Sequence, residues 1–263
     1  MLALQGVSKS YPEYRLPVLD PIDLEIESGQ FVSLIGPSGC GKSTLCNLIA
    51  GLEQPDGGTI MLNGRPIQGS AGNVGYMPQK DLLLPWRTLL DNLILGSEVR
   101  RQDKKNARSE ALVWLKRLGL DGFSSHYPQQ LSGGMRQRAA LIRTILFGQD
   151  TLLLDEPFGA LDALTRRQMQ EWLLALWQET RHTVLFITHD IEEAMLLSDR
   201  IIVLSQRPGK IVKDVSVPFP RPRHPDILLR KEAIKLKKEL LELLSAEVKD
   251  ELYDSSVLEK QVL

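Results

Sequence analysis

The residues able to do chemistry fall in three short segments, each at the end of an apolar run. Gly36-Pro37-Ser38-Gly39-Cys40-Gly41-Lys42-Ser43 matches G-x-x-x-x-G-K-[S/T]. It follows the run Phe31 to Ile35 and precedes a helical pattern from Lys42, the context a phosphate loop requires. Its glycines let successive backbone N–H groups turn inward on an anion, and the helix N-terminus adds partial positive charge. Lys42 is placed to reach the β- and γ-phosphates, and the Ser43 hydroxyl to ligate Mg²⁺. Asp155 and Glu156 close the run Leu152, Leu153, Leu154. A carboxylate ending a buried strand is costly without a compensating cation, which Mg²⁺ supplies. Glu156 beside it is placed to polarise a water as general base. His189 follows Val184 to Ile187, with enough chain after Glu156 for a parallel crossover. Ligands of an open parallel sheet bind at the carboxyl ends of its strands, so cradle, metal carboxylate, base and imidazole are expected to converge. The chemistry is hydrolysis of a nucleoside triphosphate.

The elements that must position these groups form an α/β chain. Its 263 residues suit one large domain, or one domain with an inserted subdomain. Residues 2 to 35 read as strands and turns, and Lys42 to Ala50 as a helix with Gly51 as its C-terminal cap. Asp56-Gly57-Gly58 and Asn63-Gly64 mark turns around Thr59 to Leu62, and Val74 to Met77 is a short strand. From about Leu82 to Phe147 the pattern turns helical, with an apolar stripe through Ala107, Ala111, Leu112, Leu115 and Leu118. This stretch reads as a helical subdomain inserted ahead of the Asp155 strand. A helix carrying Met169, Trp172, Leu173 and Leu176 on one face precedes the Thr183 to Thr188 strand, and Ile201 to Leu204 is the last strong strand. Residues 218–225 are proline-rich and linker-like, and 226–263 read as an amphipathic helix to Val248 with a fraying tail. His126, His182 and His224 read as surface residues.

Composition narrows the partners. Apolar residues are 43%, charged residues 25% and the formal net charge is −1, so nothing global favours nucleic acid. The lysines at 235, 237 and 238 are interleaved with acids, as on a solvated helix face. The two cysteines, Cys40 and Cys46, have no companions suggesting a zinc site or disulfide framework. Neither a membrane span nor a signal peptide is expected. A membrane role therefore calls for a separate spanning partner.

Leu131-Ser132-Gly133-Gly134-Met135-Arg136-Gln137-Arg138 admits two readings. Ser132, Gly133 and Gly134 opening a helix make either a second anion site or an N-cap with a flexible turn. A second anion site beside one phosphate loop makes sense if it serves a nucleotide held by another subunit.

Together these segments resemble the ATP-binding-cassette (ABC) transporter ATPases over about residues 1 to 210. The resemblance implies a P-loop ATPase core with an antiparallel β subdomain and an inserted helical subdomain, spanning 1–217. In its terms Gly36 to Ser43, with Thr44 after it, is Walker A; Leu152 to Glu156 is Walker B; and Leu131 to Arg138 is the signature. Gln79 resembles the Q-loop glutamine, which also approaches the metal, and Ala160-Leu161-Asp162 the D-loop. His189 resembles the switch histidine and Tyr11 the aromatic that stacks on adenine, with Tyr14 a weaker candidate. Met135 departs from the pattern, since many relatives carry glutamine there. The stretch Leu83-Leu84-Pro85-Trp86 to Asn92 is similar to the importer branch for nitrate, sulfonates, taurine and bicarbonate, where it borders the groove for a membrane permease. The resemblance implies ATP and Mg²⁺, a homodimer, a permease, an indirect solute-binding protein and the cytoplasmic membrane face. Its cargo would be a small anion, with a thiamine-precursor heterocycle as alternative. A soluble nucleic-acid-binding cassette and an exporter share the catalytic motifs. The former usually has a second cassette, coiled coil or zinc insertion, none of which is seen here.

Overall fold

A computed structural model describes residues 1–11 and 17–253. Tyr14 and the end of the tail lie outside the described residues. The chain divides into two compact units, Met1–Ala71 with Thr183–Leu263, and Gly72–His182.

The first unit opens with β1 (Leu2–Ser10), β2 (Pro17–Ile26), β3 (Phe31–Ile35), α1 (Lys42–Ile49), β4 (Gly57–Leu62) and β5 (Arg65–Pro66). The second carries β6 (Gly75–Met77), α2 (Leu89–Leu93), α3 (Leu95–Val99), α4 (Lys104–Arg117), α5 (Gly133–Leu146), β7 (Thr151–Asp155) and α6 (Ala163–Thr180). The chain then returns to the first unit through β8 (Thr183–Ile187), α7 (Ile191–Leu197), β9 (Arg200–Leu204), β10 (Ile211–Ser216) and α8 (Lys231–Tyr253).

In the first unit β3 lies between β8 and β9, parallel to both, with Leu34 opposite Ile187 and Ile35 opposite Val203. Every residue of β3 and β8 is buried, Ser33 and Thr183 included, as in strands covered on both faces. β10 adds antiparallel to β9. The remaining strands form an antiparallel sheet in the order β2-β1-β4-β5. Asn63 and Gly64, at φ 50 and 76, make the two-residue turn joining β4 to β5.

The proline-rich segment is anchored rather than loose. Arg223 is 5% exposed; its Nε donates to Phe219 O at 3.1 Å and its Nη1 to Met195 O at 3.3 Å and to Ser198 O. Burial, with Arg221 nearby, pushes its pKa down to about 10. The terminal helix starts later than the sequence suggests. Pro225–Leu229 is a 3-10 turn and Arg230 is extended, so α8 begins at Lys231. Ala233, Leu236 and Leu240 form its inner face, and Lys237 Nζ lies 2.5 Å from Glu192 Oε1 on α7. Lys238 faces Glu242 at 3.8 Å, so the lysine cluster is interlaced with carboxylates.

In the second unit β6 and β7 are parallel, with Met77 opposite Leu154. α5 starts at Gly133, where Ser132 caps it: Met135 N donates to Ser132 Oγ at 3.2 Å. The α4 stripe is narrower than expected. Ala111, Leu115 and Leu118 are buried, but Leu112 is exposed. Trp172 leaves the buried row of α6 and packs edge-on against Trp114, ring centroids 5.9 Å apart.

One buried amide shapes the loop before α2. Asn92 is fully buried; its Oδ1 accepts from Leu84 N at 2.7 Å, and its Nδ2 donates to Leu84 O, Arg87 O and Thr88 O at 3.2, 3.2 and 3.0 Å. Replacing Asn92 with Leu strands the Leu84 N–H and is expected to destabilise the protein by about 2 kcal/mol. A urea unfolding midpoint equal to wild type would show that the bracket contributes nothing.

Candidate functional site

The first unit supplies the phosphate loop and the histidine. Parallel pairing of β3 with β8 brings Gly36 and His189 out at the same edge of the sheet. The loop enters α1 through Gly41 at φ 105 and ψ 9, a left-handed geometry that L side chains rarely adopt. No side chain caps α1 and no acid occupies its first turn, so the positive end of the helix is left to an external acceptor. Lys42 Nζ donates to Gly36 O at 2.7 Å and Pro37 O at 2.8 Å, bringing its ammonium back against the loop. Pro37 and Thr44 are half-buried, while Ser38, Gly39 and Ser43 are exposed at the edge. Cys40 and Cys46 are buried and not joined in a disulfide; burial pushes the Cys40 pKa up, against the opposing pull of Lys42.

His189 is exposed beyond β8, on a backbone fixed from below. Thr188 Oγ1 donates to Glu193 Oε2 at 2.6 Å and accepts from Asp190 N at 3.0 Å. Asp190 caps α7 by accepting from Glu192 N and Glu193 N at 2.8 and 3.2 Å. Tyr11 donates its hydroxyl to Glu53, which Asn47 Nδ2 also reaches at 2.9 Å. Burial, then the Glu53 hydrogen bond, pushes the Tyr11 pKa up to about 12.

The second unit supplies the carboxylates. Asp155, 2% exposed, ends β7, and Gln79 follows β6 at the same edge. Gln79 Nε2 donates to Glu156 Oε2 at 3.0 Å. Glu156 has φ 48, a strained value for a non-glycine residue of the kind that gathers at functional sites. Asp162 caps α6 by accepting from Leu164 N at 3.1 Å and Thr165 N at 3.0 Å; the Thr165 amide leads the effects holding its pKa low. At Gly134 an added Cβ would lie 3.1 Å from Leu161, so the start of α5 abuts the segment ahead of Asp162.

The loop after Gln79 is clamped by α5. Arg143 donates to Asp81 O at 2.6 Å and Leu82 O at 2.8 Å, and Arg136 Nε meets Asp81 Oδ2 at 3.0 Å. Beyond it Trp86 is 71% exposed, while Leu83 and Leu89 are buried. The indole therefore stands out from the fold, and those two leucines serve the core beneath it.

Several contributors escape a reading of the sequence. Gly209 is one: a Cβ there would fall 2.1 Å from Cys40 O, so β9's following turn braces the phosphate loop. Pro208-Gly209 signals a turn but not what the turn touches. Arg143 carries no local pattern at all, and Gln137 and Asn92, though they fall in the signature and the Leu83 to Asn92 stretch, carry nothing local that marks their buried contacts. The other histidines are less superficial than expected. His126 and His182 are half-buried, with the His182 pKa lowered by burial, and only His224 is exposed.

The donor types suit their ligands. A glycine loop and an uncapped helix start suit a polyphosphate, and a serine hydroxyl with a buried carboxylate gives the hard oxygens that Mg²⁺ prefers. Among the described residues no helix is long and apolar enough to cross a membrane.

Comparison with known proteins gives these features a context. Residues 19–159 match the family model described as ABC transporter. The chain is 47% identical over 215 residues to the taurine import ATP-binding protein TauB of Yersinia pestis, covering 81% of this chain and 84% of that one. It is 44% identical over 218 residues to the formylaminopyrimidine import ATP-binding protein ThiZ of Halalkalibacterium halodurans, covering 83% and 85%. Among solved structures it resembles a dimeric bacterial ABC transporter cassette at TM-score 0.76 and 31% identity, over 84% of this chain and all of that one. That cassette is also solved as a dimer in a post-hydrolysis state bound to ADP and Pi.

Gly209→Ala, with no room for its methyl group, is expected to displace Cys40 and weaken nucleotide binding about tenfold, the scale of an overpacked site. Titration with a fluorescent ATP analogue checks this, and wild-type affinity would remove Gly209 from the loop's support.

Proposed function

The chain belongs to the ABC transporter family and is an ATP-binding, ATP-hydrolysing cassette; from that premise we propose that it energises an importer of a small anionic solute, with the residues above in the roles their positions suit. The contact that carries the hydrolytic part is Gln79 on Glu156, a sensing amide held on the candidate base. Taurine, the solute named for one relative, supports a sulfonate-type anion. The relative named for formylaminopyrimidine supports a heterocycle as the second reading.

The loop from Gly36 to Thr44 and the start of α1 bind the triphosphate, Lys42 neutralises its β- and γ-phosphates, and the Tyr11 ring, anchored through Glu53, packs on the base. Ser43, Asp155 and Gln79 are the residues that would hold Mg²⁺, which when bound neutralises charge on the transferring phosphoryl group. Glu156 takes the proton from the attacking water, and His189 orients that water and the γ-phosphate. The reaction is positioning and charge stabilisation rather than covalent chemistry.

The lid is assigned to a second copy. Ser132, Gly133 and Gly134 of one subunit close on the γ-phosphate bound by the other, with Asp162 beside them. A two-fold arrangement of this kind makes two equivalent sites. ATP favours the closed dimer, and loss of its γ-phosphate reopens it. Met135 offers no side-chain amide to the nucleotide, which leaves Ser132 and the glycine backbone amides as the lid's donors.

Gln79 begins the loop that Arg143 and Arg136 clamp and that leads to Trp86. Closure passes along this loop to a membrane permease docked over the exposed indole. A solute-binding protein outside the membrane delivers the cargo. The cassette then works peripherally on the cytoplasmic face, and nucleic acid is not among its partners.

Glu156→Gln should bind ATP, lose hydrolysis and accumulate as a dimer in size-exclusion chromatography with ATP. An active monomeric variant would overturn the scheme. Lys42→Ala should lower ATP affinity at least tenfold, since it removes a charge-assisted phosphate contact; unchanged affinity would unseat the phosphate-loop assignment.

A further inference from the structure

Gln137 sits one turn into α5, 6% exposed, and both ends of its amide are engaged. Its Nε2 donates to Glu156 O at 3.1 Å, and its Oε1 accepts from Ala160 N at 3.1 Å. A single side chain thus spans the short segment from Glu156 to Ala160. The residue it grips is the one whose φ of 48 needs outside support. The same face of α5 meets the chain from Glu156 to Leu161 at two positions: Gly134 abuts Leu161, and Gln137 holds Glu156 and Ala160. Positions i and i+3 share a helix face, so the two contacts lie side by side.

We infer that Gln137 is a positioning residue for hydrolysis, which sets the Glu156 carboxylate according to where the start of α5 lies. Helix α5 is 14 residues of continuous hydrogen-bonded backbone, so a displacement of its tip, where Ser132 to Gly134 are the lid for the partner's nucleotide, is carried along its length. Engagement of that tip therefore reaches the chain's own Glu156 through one buried amide. The two sites of the dimer are coupled within each subunit, not only across the interface. This rests on Glu156 acting as the base and on the lid assignment above.

The test uses the full chain and ATP. Gln137→Met keeps the volume and removes both hydrogen bonds; kcat is expected to fall about tenfold as the Glu156 backbone loosens. The dissociation constant for a fluorescent ATP analogue should stay at the wild-type value. Gln137→Glu separates positioning from packing. Its ionised carboxylate accepts from Ala160 N but cannot donate to Glu156 O, whereas the neutral acid does both. Burial raises the pKa of such a carboxyl, so the ratio of variant to wild-type kcat should rise on acidification. Wild-type kcat in a folded Gln137→Met protein, or a ratio that is flat with pH, overturns the inference. If the methionine variant does not fold, the pH dependence of the glutamate variant decides alone. A fully active Glu156→Gln protein would instead sink the underlying assignment of the base, a result distinguishable from either.

Discussion

Parallel registration of neighbouring strands is the constraint on which the functional geometry depends. In one unit, β3 and β8 are level enough that the phosphate loop and His189 leave the same edge. In the other, β6 and β7 are level enough that Gln79 reaches Glu156. Parallel strands are joined by crossovers, and the turns at one edge are then free to carry polar groups. The backbone hydrogen bonds of buried apolar strands thus fix positions that long polar side chains could not hold alone. A one-residue slip would face the strands' side chains the other way and displace every group that follows.

A second layer of support lies beneath the chemistry. Buried polar side chains each hold a short loop: Asn92 the Leu84 to Thr88 turn, Gln137 the Glu156 to Ala160 segment, and Thr188 with Glu193 the His189 backbone. Their partners are mainly main-chain groups, which fix loop shape rather than strand pairing. Burial makes these contacts costly to leave unmade, so each restricts its loop to few alternatives. Gly209 acts in the opposite way, by having no side chain where Cys40 O passes.

How far the amino-acid order reveals this depends on range. Phosphate loop, acidic strand end and capped signature helix are local patterns, and the ABC cassette fold they imply is the one present. Strands such as Phe31 to Ile35 were legible because burial on both faces leaves a nearly unbroken apolar run, with Ser33 its one polar residue. Helix edges were less so. Pro225 with the extended Arg230 moved α8 forward to Lys231. Gln137 was within the quoted signature, yet its two hydrogen-bond partners lie 19 and 23 residues further on. Arg143 and Gly209 likewise act on chain that is close only after folding. Contacts of that kind leave no periodic trace in one sequence.

Trp86 carries one further consequence. The chain has four tryptophans: Trp177 is 3% exposed, Trp114 and Trp172 pack on each other, and Trp86 is 71% exposed. Indole emission shifts to shorter wavelength when the ring leaves water, so the ring that stands proud of the surface is also an intrinsic optical gauge. Whatever comes to cover it will change the colour of the protein's own fluorescence, without any dye being attached.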